Sequence, residues 1–285
     1  MEDSHEHEEV DTLHAAAIPR SASDTIFNSI CRIEIEKIED NKKIIYLGTG
    51  FFLMADIEGN KCKFLLTNFH VIEKKDVESR KEFNIFYGTK DNETQRTIKL
   101  DTNYRFIRCF EKPKDITLIE IIESDNIPEI KFLFPDLNHK NGFDSYSSEN
   151  FYLARYPSSA SFKYEAHICS GKIVKIRGFE FDHSLDTKKG SSGSPIRLIY
   201  NQNVIGIHKS GDYKNNINYG TFIGIILDQL EKEIKDFNIS NLKLIKSIHN
   251  NYALKSIIIL NDGRPCTNDC KGSLKFMIKI ILMLI

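Results

Sequence analysis

The segment DTKKGSSGSPI, residues 186–196, sets a serine between two glycines with a proline three residues further on. Gly190 and Gly193 permit a tight turn in which backbone N–H groups converge on one point. Acyl transfer needs that geometry beside a nucleophilic hydroxyl, because the oxyanion of a tetrahedral intermediate must be met by fixed donors. Ser192 is the candidate nucleophile, and a plain Ser/Gly surface loop is the competing explanation. In FLLTNFHVI, 64–72, His70 ends an apolar strand. A general base has to stand on such a rigid element next to its nucleophile, although packed or capping histidines occur in the same setting. In KPKDITLIEI, 112–121, Asp115 opens an apolar strand. An acid there can reach a histidine ring nitrogen, and an acid capping a turn gives the same pattern.

The elements around these residues read as short strands. SICRIEIE alternates apolar and polar residues, the period-2 pattern of a half-buried strand. KIIYLGTGFFLM and KCKFLLTNFHVI are rich in β-branched and aromatic residues and are separated by the turn-forming ADIEGN. FNIFYG, RTIKLD, YRFIRCF and DITLIEI continue the series. A second series holds NFYLARYP, YEAHICSGKIVKIRG, FEFDHSL, SPIRLIY, NVIGIHKSG and NYGTFIGIIL. Between them lies a linker at 135–150 with Gly, Asn and Ser, and DQLEKEIKDF, 228–237, is the first amphipathic helix. The organisation predicted is a disordered acidic lead-in at 1–25, an N-terminal β-barrel at 26–134, a C-terminal barrel with its helix at 151–237, and a tail of unassigned role at 238–285. Two batches of roughly six strands predict an all-β chain of two barrels or sandwiches.

The motifs occur in the order His, Asp, Ser, with His70 standing 45 residues before Asp115 and Asp115 standing 77 before Ser192. In that order the pattern resembles the trypsin-like (chymotrypsin-fold) serine proteases over about residues 27–232. GTGFFL at 48–53 looks like the family's strand before the histidine, LTNFHV its histidine motif, DITLIEI its aspartate motif and GSSGSP its serine motif. The resemblance implies two antiparallel six-stranded β-barrels with the site in the cleft between them, and a C-terminal helix. It implies Ser192 as nucleophile, His70 as general base and acid, Asp115 as the group that holds the imidazole tautomer, and the N–H groups of Gly190 and Ser192 as the oxyanion hole. Gly193 and Pro195 are then shape residues. No metal or organic cofactor is implied, and the partners are polypeptide substrates.

Departures from the family refine the comparison. Ser191 stands where digestive members place an acid that pairs with a new N-terminus, and Val71 where they place a cysteine. Activation by a freed amine and a disulfide framework are therefore not expected. GSSGSP together with VIGIH at 204–208 resembles the glutamyl endopeptidase (V8-like) branch. That resemblance implies Thr187 and His208 as partners of a substrate carboxylate, through a hydroxyl and an imidazolium, with Lys189 at the rim. Asp186, six residues before Ser192, sits where trypsin-type members receive Lys or Arg. If it points into the pocket a basic side chain is favoured, and if it points away an acidic one. The reading leans slightly to Glu or Asp, against the bland alternative that Thr187 and His208 only pack the strand base. Lys209, Ser210 and Gly211 are expected to pair with the substrate backbone as an added strand. His183 lies near the serine motif but outside the matched pattern and receives no role.

The chain has 285 residues with 39 basic and 40 acidic side chains. Net charge near zero suggests no general attraction to nucleic acid and no clear association with an anionic membrane. The acidic start lacks the basic and apolar regions of a secretory signal, so the expectation is a cytoplasmic protein. Cys31, Cys62, Cys109 and Cys169 are scattered singly, as buried free thiols are. Cys266 and Cys270 lack two further ligands for a zinc site, and His5, His7 and His14 read as part of a solvated tail. FMIKIILMLI at the end is too short to span a bilayer. A protease-like binding or scaffold module, a latent protease activated by a partner, and a piece of a larger protein are the alternatives. The oligomeric state is not set by the sequence.

Overall fold

The structure, a computed structural model, describes residues 26–39, 41–89, 92–156, 166–212 and 217–249. The lead-in, its three histidines, Cys266, Cys270 and the apolar terminus lie outside the described residues.

The first strand series forms one antiparallel sheet of seven strands: β1 (Ile30–Glu39), β2 (Lys42–Ile57), β3 (Asn60–Thr67), β4 (Glu82–Thr89), β5 (Asn92–Lys99), β6 (Ile107–Phe110) and β7 (Ile116–Glu120), in the order β5-β4-β1-β2-β3-β7-β6. The sheet has seven strands, one for each segment of the first series, where the family resemblance implied six; the 16-residue β2 bridges β1 over one half and β3 over the other. Alternation fixes its faces. Cys31, Ile33 and Ile35 of β1 point into one apolar cluster with Phe52 and Leu65, while Ile30 joins Phe51, Phe64 and Leu66 in a second.

The second series closes into a six-stranded barrel: β8 (Asn150–Arg155), β9 (His167–Arg177), β10 (Glu180–His183), β11 (Pro195–Leu198), β12 (Val204–Asp212) and β13 (Ile217–Phe222), in the order β10-β13-β12-β11-β8-β9. Phe151, Leu153, Phe181, Ile196, Ile205 and Phe222 fill it. The segment between the two bodies is ordered into 3-10 turns at Leu137–Asn141 and Phe143–Tyr146, and buried Tyr146 donates its hydroxyl to Asp136 at 2.8 Å.

Two elements differ from the reading of the sequence. A short helix, α1 (Lys74–Glu78), follows the His70 segment; five residues are too few for an apolar period to show. The long helix α2 runs Gly224–His249, starting before 228 and continuing without a break past 237. NYGTFIGIIL is strand as far as Phe222 and helix from Gly224, a boundary that a continuous apolar run cannot reveal. Ile226, Leu230 and Ile234 recur at helical spacing on α2 and are buried with Phe110, Ile116 and Leu133 of the first half and Val204 of the barrel. This shared cluster holds the two halves together and fixes the cleft between them. Among the described residues no helix is long and apolar enough to cross a membrane.

Candidate active site

His70 does not end a strand. β3 stops at Thr67, and the N–H groups of Val71 and Ile72 both return to the Asn68 carbonyl. The resulting turn carries His70 out of the sheet. Gly48 on β2 makes room for it, because a Cβ there would stand 2.7 Å from a Val71 methyl carbon. Asp115 comes from the turn before β7 and adopts φ +56, a left-handed conformation that Asp tolerates better than most residues. Its carbonyl accepts the Asn68 side-chain amide at 2.8 Å, and its own N–H donates to Glu111 at 3.2 Å. These bonds aim its carboxylate at His70, which donates twice: the backbone N–H to Oδ1 at 3.0 Å and ring Nδ1 to Oδ2 at 2.8 Å. The Asp115 side chain is 4% exposed and that of His70 40%. With Nδ1–H committed to the carboxylate, neutral His70 keeps its free lone pair on Nε2.

Ser192 lies in the loop between β10 and β11, and one residue of the first sheet bolts that loop down. Thr49 donates its N–H to the Ser192 carbonyl at 2.8 Å and its hydroxyl to the Gly190 carbonyl at 2.8 Å. Its hydroxyl also accepts the Tyr156 N–H at 3.1 Å, and its carbonyl accepts Thr67 Oγ1 at 2.9 Å. Contact is so close that a Cβ on Gly193 would lie 2.0 Å from the Thr49 carbonyl oxygen, at φ +90; only glycine fits. Inside the loop, Ser191 donates its N–H to the Lys188 carbonyl and accepts the Lys188 N–H on its hydroxyl. The N–H of Ser194 goes to Ser191 and that of Gly193 to His208. Among the described residues nothing accepts the N–H of Gly190 or of Ser192, the two positions expected to bind an oxyanion.

His70, Asp115 and Ser192 line one cleft of about 750 Å³ with Lys112, Pro113, Glu180, Lys209, Ser210 and Tyr219. The Ser192 hydroxyl donates to the Lys209 carbonyl at 3.3 Å. Its single proton must leave that carbonyl before it can pass to His70.

The trypsin-like peptidase domain family matches residues 48–207, more than half of the chain. The chain belongs to the trypsin-like peptidases. No curated protein matches its sequence. Among solved structures, a serine endoprotease from Yersinia pestis is similar with a TM-score of 0.50 at 13% identity, over 77% of this chain and 69% of that one. An inactive mutant form of Rv3671c from M. tuberculosis H37Rv aligns with a TM-score of 0.46 at 14% identity, over 76% of this chain and 94% of that one. The first of these likenesses supports the fold and the second carries no weight.

In this trypsin-like peptidase the expected specificity residues are placed differently from His70, Asp115 and Ser192. Asp186 is largely exposed and accepts from buried Arg155 at 3.0 Å. Thr187 Oγ1 lies 2.6 Å from Asn218 Oδ1. His208 is buried, with its Nδ1 3.2 Å from Nε2 of buried His183. Burial pushes His183 down to about 3. It holds His208 well below the ordinary histidine range, and the nearby His183, His70 and Arg155 add to the shift. Both rings are neutral at pH 7, which corrects the expectation of an imidazolium at His208. At most one proton lies between them, so one ring donates and the other accepts. Lys209 and Ser210 of β12 line the cleft with Ser192, and Gly211 follows them on the same strand. Lys189 is an exposed loop residue. Reasoning from sequence missed Thr49 although it sits inside the matched GTGFFL motif, because a clamp between two halves leaves no mark on periodicity. It also missed His183, whose partner lies across the β10–β13–β12 ladder.

Proposed function

We propose that this peptidase is a serine endopeptidase working through Ser192, His70 and Asp115. The observation that carries the reading is the twofold hydrogen bond from His70 to buried Asp115, which leaves Nε2 as the base in the same cleft as Ser192. Ser192 Oγ attacks the scissile carbonyl while its proton moves to His70 Nε2. The new oxyanion is met by the N–H groups of Gly190 and Ser192. His70 then gives the proton to the leaving amine, the C–N bond breaks and an acyl-enzyme remains. A water molecule repeats the cycle, with His70 taking its proton and returning it to Ser192. Asp115 keeps the tautomer fixed and stabilises the imidazolium formed on the way.

For the residue before the cut we propose a weak preference for Glu or Asp. Asp186 is engaged by Arg155 at the surface and does not line the cleft, which argues against its receiving a Lys or Arg side chain. Neutral His208 and Thr187 offer hydrogen bonds to a carboxylate without a full charge, consistent with a weak preference. A second reading, a latent peptidase awaiting a partner, has one observation in its favour: the Ser192 hydroxyl is turned to Lys209. Hydrolysis of a peptide library by the parent and by Ser192→Ala tests the proposal. Cleavage after Glu and Asp by the parent and none by the variant is the expected outcome. Equal cleavage by both contradicts it, and no cleavage by well-folded parent supports latency.

A further inference from the structure

A peptide whose carbonyl carbon sits over Ser192, with its oxygen on the N–H groups of Gly190 and Ser192, must send that residue's side chain between two walls. One is the loop 185–190 and the other is the β12 segment from Lys209. Among the described residues β12 from Lys209 onward pairs only with β13: its ladder to β11 ends at Ile207, and beyond it His208 bonds through its backbone to Ser194 and Gly193. Its other edge is open to an added strand. The walls should frame a slot, yet neither Thr187 nor His208 nor Gly211 lines the open cleft.

Asn218, on β13, stands in the slot. Its Nδ2 donates to the Leu185 carbonyl at 2.8 Å, and its Oδ1 is 2.6 Å from Thr187 Oγ1. A carbonyl can only accept, so the first bond fixes which end of the amide carries nitrogen. Thr187 must therefore be the donor in the second. The opposite wall presses on the same atom: a Cβ at Gly211 would be 2.4 Å from Asn218 Oδ1 and 3.7 Å from Thr187 Oγ1. Both walls thus meet through one amide oxygen. To the Thr187 hydroxyl, that oxygen is the same kind of acceptor as one oxygen of a carboxylate, without the charge.

We propose that Asn218 is the specificity-determining residue of this peptidase, a plug whose amide oxygen holds the place of a substrate carboxylate oxygen at Thr187. The proposal rests on the acidic preference above and explains its weakness: an acidic side chain enters only by taking Thr187's hydrogen bond from Asn218. Small side chains stop short of the plug and do not compete with it.

Binding of cleavage products separates this idea from activity. Acetyl-Ala-Ala-Glu and acetyl-Ala-Ala-Ala would be titrated by NMR into the parent, Asn218→Ala and Asn218→Asp. Asn218→Ala is expected to bind the Glu peptide about tenfold more tightly than the parent, the scale of a hydrogen bond to a charged group, with the Ala peptide unchanged. Asn218→Asp, nearly isosteric, is expected to bind the Glu peptide at least about tenfold more weakly, because like charges meet. The same affinities in all three proteins, or equal changes for both peptides, overturn the plug. If Asn218→Ala fails to fold, the Asp variant decides by the sign of its change. Labelling of the same proteins with a fluorophosphonate keeps the two readings apart. An affinity change without labelling preserves the plug and removes the serine mechanism, whereas labelling without an affinity change does the reverse.

Discussion

The two sides of the cleft are built to different standards. On the side of the first sheet, His70 and Asp115 are held by four hydrogen bonds to one another and to the turns that carry them, and His70, the proposed base, lines the cleft. On the barrel side, the Ser192 hydroxyl is bonded to Lys209, and Asn218, the plug proposed above, is bonded to Thr187 and Leu185. The loop backbone is held there by Thr49 reaching across from the other half and by Ser191, Gly193 and Ser194 within the barrel. A base gains from being locked in one tautomer, because misorientation costs it the proton transfer. A nucleophile and a specificity slot must both move to admit a chain. In the proposed mechanism the first half therefore supplies the oriented base, and the barrel supplies groups whose present hydrogen bonds a substrate must replace.

The most severe way to break the contrast is Ser192→Ala or His70→Ala. Each is expected to lower kcat by about 10⁶-fold while leaving thermal unfolding close to that of the parent. Asp115→Asn tests the rigid side alone. It should lower kcat by about 10⁴-fold, through the wrong tautomer of His70, and parent-like turnover would show that the two hydrogen bonds to His70 are ornamental. Thr49→Val keeps shape but removes the hydroxyl that joins Gly190 and Tyr156. A loss of about 10²-fold in kcat is expected as the oxyanion donors drift. The low-field proton resonance of His70 Nδ1 should stay in place, so movement of that signal would erase the distinction between the halves.

These contrasts were unevenly legible in the sequence. Strand alternation and four ordered motifs located the fold and brought His70, Asp115 and Ser192 to one cleft, because each motif is local: a turn residue beside an apolar run. What escaped depends on contacts between segments far apart in the chain. Thr49 acts on residues more than a hundred positions away. His183 gains its meaning only when β10, β13 and β12 lie side by side. Asn218 carries no motif and shows its place only when β12 and the 185–190 loop converge on it. The start of α2 was hidden for a simpler reason, since an apolar run does not announce whether it is strand or helix.

The smallest effect expected concerns the neutral histidines. His183 and His208 are depressed in the fold, so between about pH 3 for His183 and the ordinary value of 6.5 the unfolded chain binds protons that the folded one refuses. Stability is then fully present above pH 6.5 and falls as the solution is acidified, by about 1.4 kcal/mol per pH unit for each such group. A shallower decline in melting temperature between pH 7 and 5 is expected for His183→Gln, and an identical slope would show that the pair is not held neutral.

The central claim is that Ser192 is a nucleophile activated by His70. Purified parent, Ser192→Ala and His70→Ala would each be incubated with a fluorophosphonate and weighed intact. The account predicts a single adduct on the parent, none on Ser192→Ala and labelling at least about a hundredfold slower on His70→Ala. Equal labelling of parent and Ser192→Ala, or no adduct on folded parent, would contradict it.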